Sequence, residues 1–253
     1  MTLINGVTEK FLVIAAILVF AAFGCVLGFS RQTTSNQVQS PVRLKDDSDW
    51  WSLTKGYDVG RVVKVQQREL PPGSFQILGV QLEDELLATA IGKLGPATNI
   101  ERGEAGEWRS QLCYSLAGES QHAYLIFETG EIDRAFYLFK GPAWNGNDKC
   151  AATNLAAGKL ATGSGLHLGQ SPAEVIAILG KPSGEREGEM VYSVESRKKN
   201  SPAELKKLRK RSSQMSDQDF DKFFAVADLS AIVVLKFAES RLNYIAVSKS
   251  ETY

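Results

Sequence analysis

The longest uninterrupted apolar run lies near the start of the chain and predicts a membrane segment. Residues 11–29 contain no charged residue and no proline over 19 positions. As an α-helix this segment is about 28 Å long, close to the ~30 Å thickness of a hydrocarbon core. A helix of a soluble core normally keeps a polar stripe, whereas this one is apolar on every side. We therefore expect an N-terminal transmembrane helix within residues 1–30.

Three interpretations of this segment remain open. As a signal anchor it stays in the membrane, and as a signal peptide it is removed. The run exceeds the usual apolar region of a signal peptide and no small-x-small cleavage site follows it, which favours retention. In the third interpretation Cys25 is lipidated, although bulky Phe23 fits a lipobox poorly. Lys10 and Arg31 flank the two sides about equally, so the charges leave the orientation undecided.

Polar and β-rich stretches divide the remainder of the chain. Residues 31–56 begin with a Gln-, Ser- and Thr-rich stretch without an apolar period and predict a linker. Residues 59–66 have the β-branched character of a strand. We assign residues 57–163 to a first unit with this preceding strand, and residues 164–253 to a second unit.

An internal repeat supports this division. Residues 79–82 (Gly-Val-Gln-Leu) and 165–168 (Gly-Leu-His-Leu) each lead into a helical pattern. The first helix stops at Leu-Gly-Pro (94–96) and the second at Leu-Gly-Lys-Pro (179–182), where glycine permits a left-handed residue and proline prevents continuation. Ser-Pro-Ala-Glu at 171–174 adds a capping box to the second helix.

Alternating apolar and polar residues after each helix predict strands. Segments led by Gly106 and Gly188 begin the first strand of each unit, and residues 127–132 and 237–242 predict hairpins. Each unit is therefore helix–strand–strand–strand, which gives an α+β fold with antiparallel sheets. We expect the core-facing residues of the two units to be equivalent, so that Ala123, Leu125 and Phe127 of the first correspond to Val233, Leu235 and Phe237 of the second.

The second unit differs from the first by an insertion at about residues 197–228. Ser-Pro-Ala-Glu at 201–204 is again a capping box and predicts one helix with many basic residues. Ser216 with Asp219 begins a second helix, in which aromatic and alanine residues recur with helical spacing.

Cys113 and Cys150 both lie in the predicted soluble part. An even number of cysteines there favours an oxidising compartment, and a bridge would close a loop of about 37 residues. Two unrelated buried thiols are the alternative. We expect the disulfide, and with it an extracytoplasmic location.

The motifs of the repeat resemble a known family. A short helix closed by Leu-Gly-x-Pro, then a glycine-led strand and a hairpin, resembles the SmpA/OmlA (BamE-like) bacterial envelope proteins. Two such units in tandem resemble the β-lactamase inhibitory proteins. The resemblance covers about residues 77–249 and rests mainly on residues 165–168, 171–175 and 179–182. It implies an extracytoplasmic, non-enzymatic module that binds another protein, on the periplasmic side of a bacterial membrane.

No residue pattern predicts catalysis or metal binding. His122 and His167 lack a recognisable nucleophile motif nearby, so we interpret them as packing or surface residues. Residues 83–85 (Glu-Asp-Glu) are explained as acids at a helix start. With 3 cysteines and 2 histidines a usual zinc site is not expected, and we predict no cofactor. The zero net charge gives no argument for nucleic acid.

The leading hypothesis is a membrane-anchored extracytoplasmic module for protein binding or assembly, without catalytic activity. We expect an open sheet face carrying Arg109, Gln111 and Tyr124 to contact another envelope protein. A basic patch in the insertion is a second candidate surface, for anionic lipid headgroups or an acidic partner, unless it is simply a solvated helix face. The patch comprises Lys198, Lys199, Lys206, Lys207, Arg209, Lys210 and Arg211. The alternative function is an envelope hydrolase that acts on a cell-wall or lipid substrate.

Overall fold

The structure is a computed structural model that describes residues 42–43, 64–103, 108–117, 122–141, 149–186 and 188–253. The predicted membrane segment at residues 11–29 and Cys25 lie outside these ranges. Within them, every helix is too short or too polar to cross a bilayer.

The described chain alternates short helices with long strands. Its first part contains β1 (Val42–Arg43), β2 (Gln66–Gln67), β3 (Gln76–Ile77), β4 (Val80–Gln81), α1 (Leu86–Leu94), β5 (Asn99–Arg102), β6 (Arg109–Ala117), β7 (His122–Gly130), β8 (Asp133–Gly141) and β9 (Ala151–Ala156). Its second part contains a 3₁₀ turn (Ala157–Lys159), α2 (Pro172–Leu179), β10 (Gly184–Arg186), β11 (Glu189–Lys199), α3 (Pro202–Arg211), α4 (Asp217–Phe224), β12 (Val226–Ala238) and β13 (Arg241–Thr252). The predicted α+β class is confirmed.

One large sheet joins both parts. Its order is β1-β5-β6-β7-β8-β13-β12-β11-β10, and β9 and β2 pair with β6 and β11, which makes eleven strands in the described ranges. The pairing of β8 with β13 carries the sheet across the boundary that we predicted between residues 163 and 164. β3 and β4 form a separate two-stranded sheet.

The expectation of purely antiparallel sheets was wrong, because the large sheet is mixed. The long strands pair in antiparallel fashion, but β1 with β5, β9 with β6 and β2 with β11 are parallel. A parallel pair requires the chain to cross over before it returns. These three strands reach the sheet through such connections. Of the strand predicted at residues 59–66, the described residues 64–66 contribute only Gln66, to β2.

The two predicted helix ends have similar geometry. Gly95 and Gly180 follow α1 and α2 with φ of 92° and 77°, a region that favours glycine. The N–H of each glycine donates to a carbonyl of the preceding turn, from Ile91 and Ile176. The capping box of α2 is present, since Ser171 Oγ accepts from the Glu174 N–H and the Glu174 carboxylate accepts from the Ser171 N–H.

A buried tyrosine holds each of these helix ends to the sheet. The hydroxyl of Tyr114 donates to the Gly95 carbonyl over 3.0 Å, and that of Tyr192 donates to the Gly180 carbonyl over 3.1 Å. Both rings are fully buried. Burial raises the pKa of both tyrosines to about 12.

The shared hydrogen bond corrects the expected residue matches. Tyr114 pairs with Leu125, and Tyr192 pairs with Val233, so Leu125 corresponds to Val233 and not to Leu235. The shift is two residues. Because side chains in a strand repeat with a period of two, the expected set still faces the core. Val233 and Leu235 are buried there, and Phe237 packs against the same core.

Different elements pack against the two faces of the sheet. We call the side that carries Leu112, Tyr114, Leu125 and Phe127 the front face. There α1 contributes Leu86 and Ala90 to the main hydrophobic core, and α2 contributes Val175 and Leu179. The opposite side is the back face. Its smaller apolar cluster comprises Ile100, Cys113, Tyr124, Ile126, Ala135, Tyr137, Phe139, Val191, Val234 and Ala246.

Both helices predicted for the insertion are present as α3 and α4. Ser201 caps α3 in a full capping box with Glu204, and the Ser216 hydroxyl accepts from the Asp219 N–H at the start of α4. The insertion is shorter than residues 197–228, however. Arg197 and Asp228 are paired strand residues, because β11 and β12 extend as a long hairpin arm on either side of the helices.

The predicted disulfide between Cys113 and Cys150 is confirmed. It joins the middle of β6 to the residue before β9, and Cys113 is completely buried on the back face. The bridge therefore fixes the parallel strand β9 beside β6.

Loss of this bridge should destabilise the fold without abolishing it. For a sequence separation of 37 residues, loop-closure entropy gives roughly 3–4 kcal/mol. We expect the double variant Cys113→Ala/Cys150→Ala to unfold at lower denaturant concentration, as measured by circular dichroism without reductant. Cys25→Ser is the matched control and should unfold like the parent chain. Equal stability of the double variant and the parent would contradict this role.

The two tyrosines should make stability fall at high pH. Their pKa of about 12 in the folded chain lies above the ordinary value of 10.0, so between these pH values the unfolded chain releases protons that the folded chain keeps. The free energy of unfolding should therefore decrease from pH 10 to 12. In Tyr114→Phe/Tyr192→Phe this decrease should be shallower, and each lost hydrogen bond should cost about 1 kcal/mol at pH 7. Urea titrations at pH 7, 10 and 11.5 measure both effects, and an unchanged pH slope would argue against them.

Candidate functional site

Arg109, Gln111 and Tyr124 lie on one sheet face, as expected, but that face is not open around them. Gln111 and Tyr124 are completely buried, and the side chain of Arg109 is 26% exposed. Large neighbours on adjacent strands enclose these residues. The Phe139 ring lies 5.4 Å from that of Tyr124. A partner therefore cannot contact Gln111 or Tyr124 at the surface, and this part of the prediction was wrong.

The enclosed residues belong to a buried polar cluster around Glu128. Its carboxylate accepts hydrogen bonds from the Gln111 amide and, over 3.1 Å, from the Tyr137 hydroxyl. Arg109 Nε lies 3.8 Å from the same carboxylate, and its Nη1 contacts Asp133 at 2.8 Å. Strand pairing places Gln111 directly opposite Glu128, so the cluster follows from the register of β6 and β7.

Burial controls the electrostatics of this cluster. It raises the pKa of Glu128, while the Gln111 hydrogen bond and the charge of Arg109 oppose that rise. Burial and the neighbouring Glu128 carboxylate raise the pKa of Tyr137 well above its ordinary value. The donors surround the carboxylate from within the sheet, which gives the cluster a structural role in holding β6, β7 and β8 together.

Sequence reasoning missed Glu128 and Tyr137. A signal existed, because Glu128 follows Tyr124 and Ile126 at the same alternate positions of a strand. A carboxylate on an otherwise buried face predicts a paired or hydrogen-bonded group. The strand partners that satisfy it could not be assigned without the register.

A row of aromatic side chains crosses the back face where the two parts of the sheet meet. Tyr124, Phe139 and Tyr244 are successive cross-strand neighbours on β7, β8 and β13. Their ring centroids are separated by 5.4 and 5.8 Å, distances typical of favourable aromatic contacts. The ammonium of Lys236 on β12 extends the row and lies 5.0 Å from the Tyr244 ring.

The back face is more accessible on β11, β12 and β13. Ser230, Ile232, Tyr244 and Ser248 are partly exposed there. Small serine side chains replace the large residues that enclose the Glu128 cluster. Next to them is an open groove of about 430 Å³, lined by Gln67, Glu195, Ser196, Arg197, Asp228, Leu229, Ser230 and Thr252. This part of the sheet provides the accessible surface that the sequence had placed on β6 and β7.

The predicted basic patch does not form one surface. Lys199, Lys206 and Lys210 are exposed. Arg209 contacts Asp217 and stacks over the Phe220 ring of α4, with 4.8 Å between guanidinium carbon and ring centroid. The remaining residues, Lys198, Lys207 and Arg211, face a cleft between the insertion and the first part of the chain.

This charged cleft has a volume of about 260 Å³. Asp84, which precedes α1, contacts three cations in it: Arg211 at 2.7 Å, Arg134 at 3.5 Å and Lys207 at 3.8 Å. Lys198 pairs with Glu204 at 2.6 Å. The hydrogen bond from Lys198 lowers the pKa of Glu204 to about 2. The expected role of Asp84 as a helix-start acid is therefore incomplete, because it also attaches α3 to the first part of the chain.

The two histidines lie apart from any nucleophile–base arrangement in the described structure. His122 is exposed at the start of β7 and stacks on Tyr124, with 6.3 Å between ring centroids. His167 Nδ1 lies 3.0 Å from the Leu168 carbonyl. Among the residues with assigned positions, no three His, Cys, Asp or Glu side chains are grouped as metal ligands would be.

Comparison with known proteins gives no assignment: no family model, no curated protein and no solved structure matches this chain significantly. The resemblance to BamE-like proteins stays a prediction.

Replacement of Glu128 by glutamine should change how stability depends on pH. The folded pKa of Glu128 is raised above its ordinary 4.5, so the unfolded chain loses this proton first as pH rises. The parent chain therefore loses stability across that interval, whereas Glu128→Gln does not. We expect the stability of the variant relative to the parent to increase with pH and then level off. Chemical denaturation from pH 4 to 8 measures this difference.

The exposed residue Glu195 provides the matched control, since Glu195→Gln removes a carboxylate from the same face without a burial cost. A pH-independent difference for Glu128→Gln would show that the buried carboxyl does not titrate with a raised pKa.

Proposed function

We propose that this chain is a membrane-anchored, extracytoplasmic module that binds or assembles another envelope protein and has no catalytic activity. The observation that carries the proposal is the accessible part of the back face on β11, β12 and β13. It combines a partly exposed sheet surface with a groove of about 430 Å³.

The chemistry of this surface suits contact with a protein. Ile232 lies between the buried Ser193 and the partly exposed Ser248 in the cross-strand register, so an apolar side chain has a small hydroxyl group beside it at the surface. Tyr244 and Lys236 add an aromatic and a cationic group at one end. Protein interfaces commonly have an apolar or aromatic centre with a polar rim. The serines also permit close approach of a partner backbone.

Anchoring and compartment complete the proposal. Residues 11–29 would hold the chain in the bilayer, as a retained helix, with the sheet outside the cytoplasm. The Cys113–Cys150 disulfide supports an oxidising compartment. Neither nucleic acid nor a metal or other cofactor is required.

We further propose that the sheet consists of two tandem helix–strand–strand–strand units of the BamE-like type. The matching contacts from Tyr114 to Gly95 and from Tyr192 to Gly180 support this repeat. In both units a hydroxyl from a central strand satisfies a carbonyl at the end of the helix. Similar local chemistry at two places is expected when both derive from one unit.

The alternative function, an envelope hydrolase, has less support. Its acid and base would need a histidine or two carboxylates in one concave site with suitable pKa values. The charged cleft contains carboxylates, but Asp84 and Glu204 are engaged by basic side chains. The low pKa of Glu204, about 2, disfavours a role as proton donor near neutral pH.

A photo-crosslinking amino acid at Ser248 should identify the docking surface in cells. Ser248 is partly exposed at the centre of the accessible back face, so a bound protein should give a discrete crosslinked product. The same amino acid at Ile176, which is 38% exposed on α2 at the other side of the sheet, is the matched control. Adding Ser230→Lys to the Ser248 probe should reduce the product severalfold, as quantified by immunoblot. Equal products from positions 248 and 176 would argue against this surface.

A further inference from the structure

Three cations of the charged cleft converge on a single carboxylate. Arg134 comes from β8, Lys207 from the middle of α3 and Arg211 from its last turn, and all three contact Asp84. The Asp84 carboxylate is therefore shared among three positive charges. Arg134 is the least exposed of the three, with 18% of its side chain accessible, and lies deepest in the cleft.

Strand register adds a fourth cation. Lys249 on β13 is directly opposite Arg134 on β8, and both side chains point to the front face. Like charges at directly opposed positions repel each other and destabilise a sheet unless an anion lies near them. Lys249 contacts Glu251 at 3.1 Å, which offsets its own charge, and Asp84 stays shared among the other three cations.

The guanidinium of Arg134 also has unused hydrogen-bonding capacity. Its Nη1 donates to the carbonyls of Gly130 and Asp133 at 2.9 and 2.8 Å, and its Nη2 faces Asp84. Its buried Nε–H meets no acceptor in the described part of the chain. A buried charged donor without an acceptor is costly, and a carboxylate close to the guanidinium reduces that cost through its charge.

We propose that the charged cleft is a binding site for an acidic side chain of a protein partner, with its carboxylate held by Arg134, Lys207 and Arg211. The site is distinct from the accessible back face, because Arg134 and Lys249 lie on the front face. Asp84 occupies part of the same cation cluster and competes with the incoming carboxylate.

The rim of the cleft favours a peptide over a membrane surface. Ile132 at the tip of the β7–β8 hairpin is 64% exposed, and Tyr253 at the chain end is 48% exposed. These side chains offer apolar contacts beside the carboxylate. The whole lining contains five basic and five acidic residues and is neutral, so a membrane rich in anionic lipid gains little from long-range attraction.

Selection from a random heptapeptide library tests the proposal on the purified full chain in mild detergent. We expect enrichment of peptides with Asp or Glu next to Leu, Ile or Val. A synthetic copy of an enriched peptide should bind at least tenfold more weakly after its acid is replaced by the amide, and at least tenfold more weakly to Arg211→Gln. Arg134→Gln should have the same effect. Arg211 is a surface residue, so its variant keeps the test valid if loss of Arg134 impairs folding.

Replacement of Asp84 should change the affinity for the peptide in the opposite direction. Asp84→Asn removes the competing carboxylate and should tighten peptide binding by about tenfold, the order expected for one unit charge several ångströms away. A purely structural Asp84 would give weaker binding or none. The exposed residue Lys206 provides the control, and Lys206→Gln should leave the affinity unchanged within about twofold.

Four outcomes would overturn the proposal. These are no enriched peptide, enriched peptides without an acid, affinity that is unaffected by Arg211→Gln, or weaker binding to Asp84→Asn. Binding of phosphatidylglycerol vesicles that depends on Arg211 and exceeds peptide binding would assign the cleft to lipid. The crosslinking test at Ser248 concerns the other face, so either proposal can fail without the other.

Discussion

The antiparallel pairing of β8 with β13 joins the two parts of the chain. Seven residue pairs, from Phe139 with Tyr244 to Asp133 with Ser250, connect a strand of the first part to the last strand of the second. This ladder makes both faces of the sheet continuous. It brings Phe139 beside Tyr244 on the back face and Arg134 beside Lys249 on the front face. The aromatic row and the charged cleft therefore depend on one register, and a slip of one residue would exchange the faces of every side chain involved.

The same sheet has different properties on its two parts because residue size differs. On β6, β7 and β8 the back face carries tyrosines, Phe139 and the disulfide, and these enclose a hydrogen-bonded carboxylate. On β12 and β13 serines take the corresponding rows, and the surface stays accessible. Burial of Glu128 is tolerated because Gln111 and Tyr137 donate to it. The first part of the back face is therefore enclosed, and the second part is accessible.

The insertion shows how a local charge pattern can acquire a distant partner. Along the sequence, the basic residues of α3 could be balanced by the aspartates of α4, and Arg209 does contact Asp217. Lys207 and Arg211 instead contact Asp84, more than a hundred residues earlier in the chain. Because α3 has no buried residue of its own, these ion pairs and the stacking of Arg209 on Phe220 of α4 position it. The insertion consequently forms a cleft wall and is not an independent appendage.

Several features were available from the sequence because they depend on neighbouring residues. The stops after Leu94 and Leu179, both capping boxes and the strand alternation follow from glycine geometry, side-chain caps and the period of two. The strand faces were correct even though the matches between Leu125 and its counterpart were displaced by two residues, since an even shift preserves the face. The disulfide was predicted because Cys113 and Cys150 form an even pair in the predicted soluble part of the chain.

What the sequence by itself determined about this protein was its class, its helices and which side chains share a strand face, since these are set within a few residues of each position. Tertiary structure decided which strands meet, and therefore that Gln111 and Tyr124 are buried, that short strands add in parallel, and that Asp84 contacts α3. Those outcomes depend on register and on contacts between segments far apart in the chain. No local pattern specifies them, because many pairings bury similar apolar surface and the native one is selected by all contacts together.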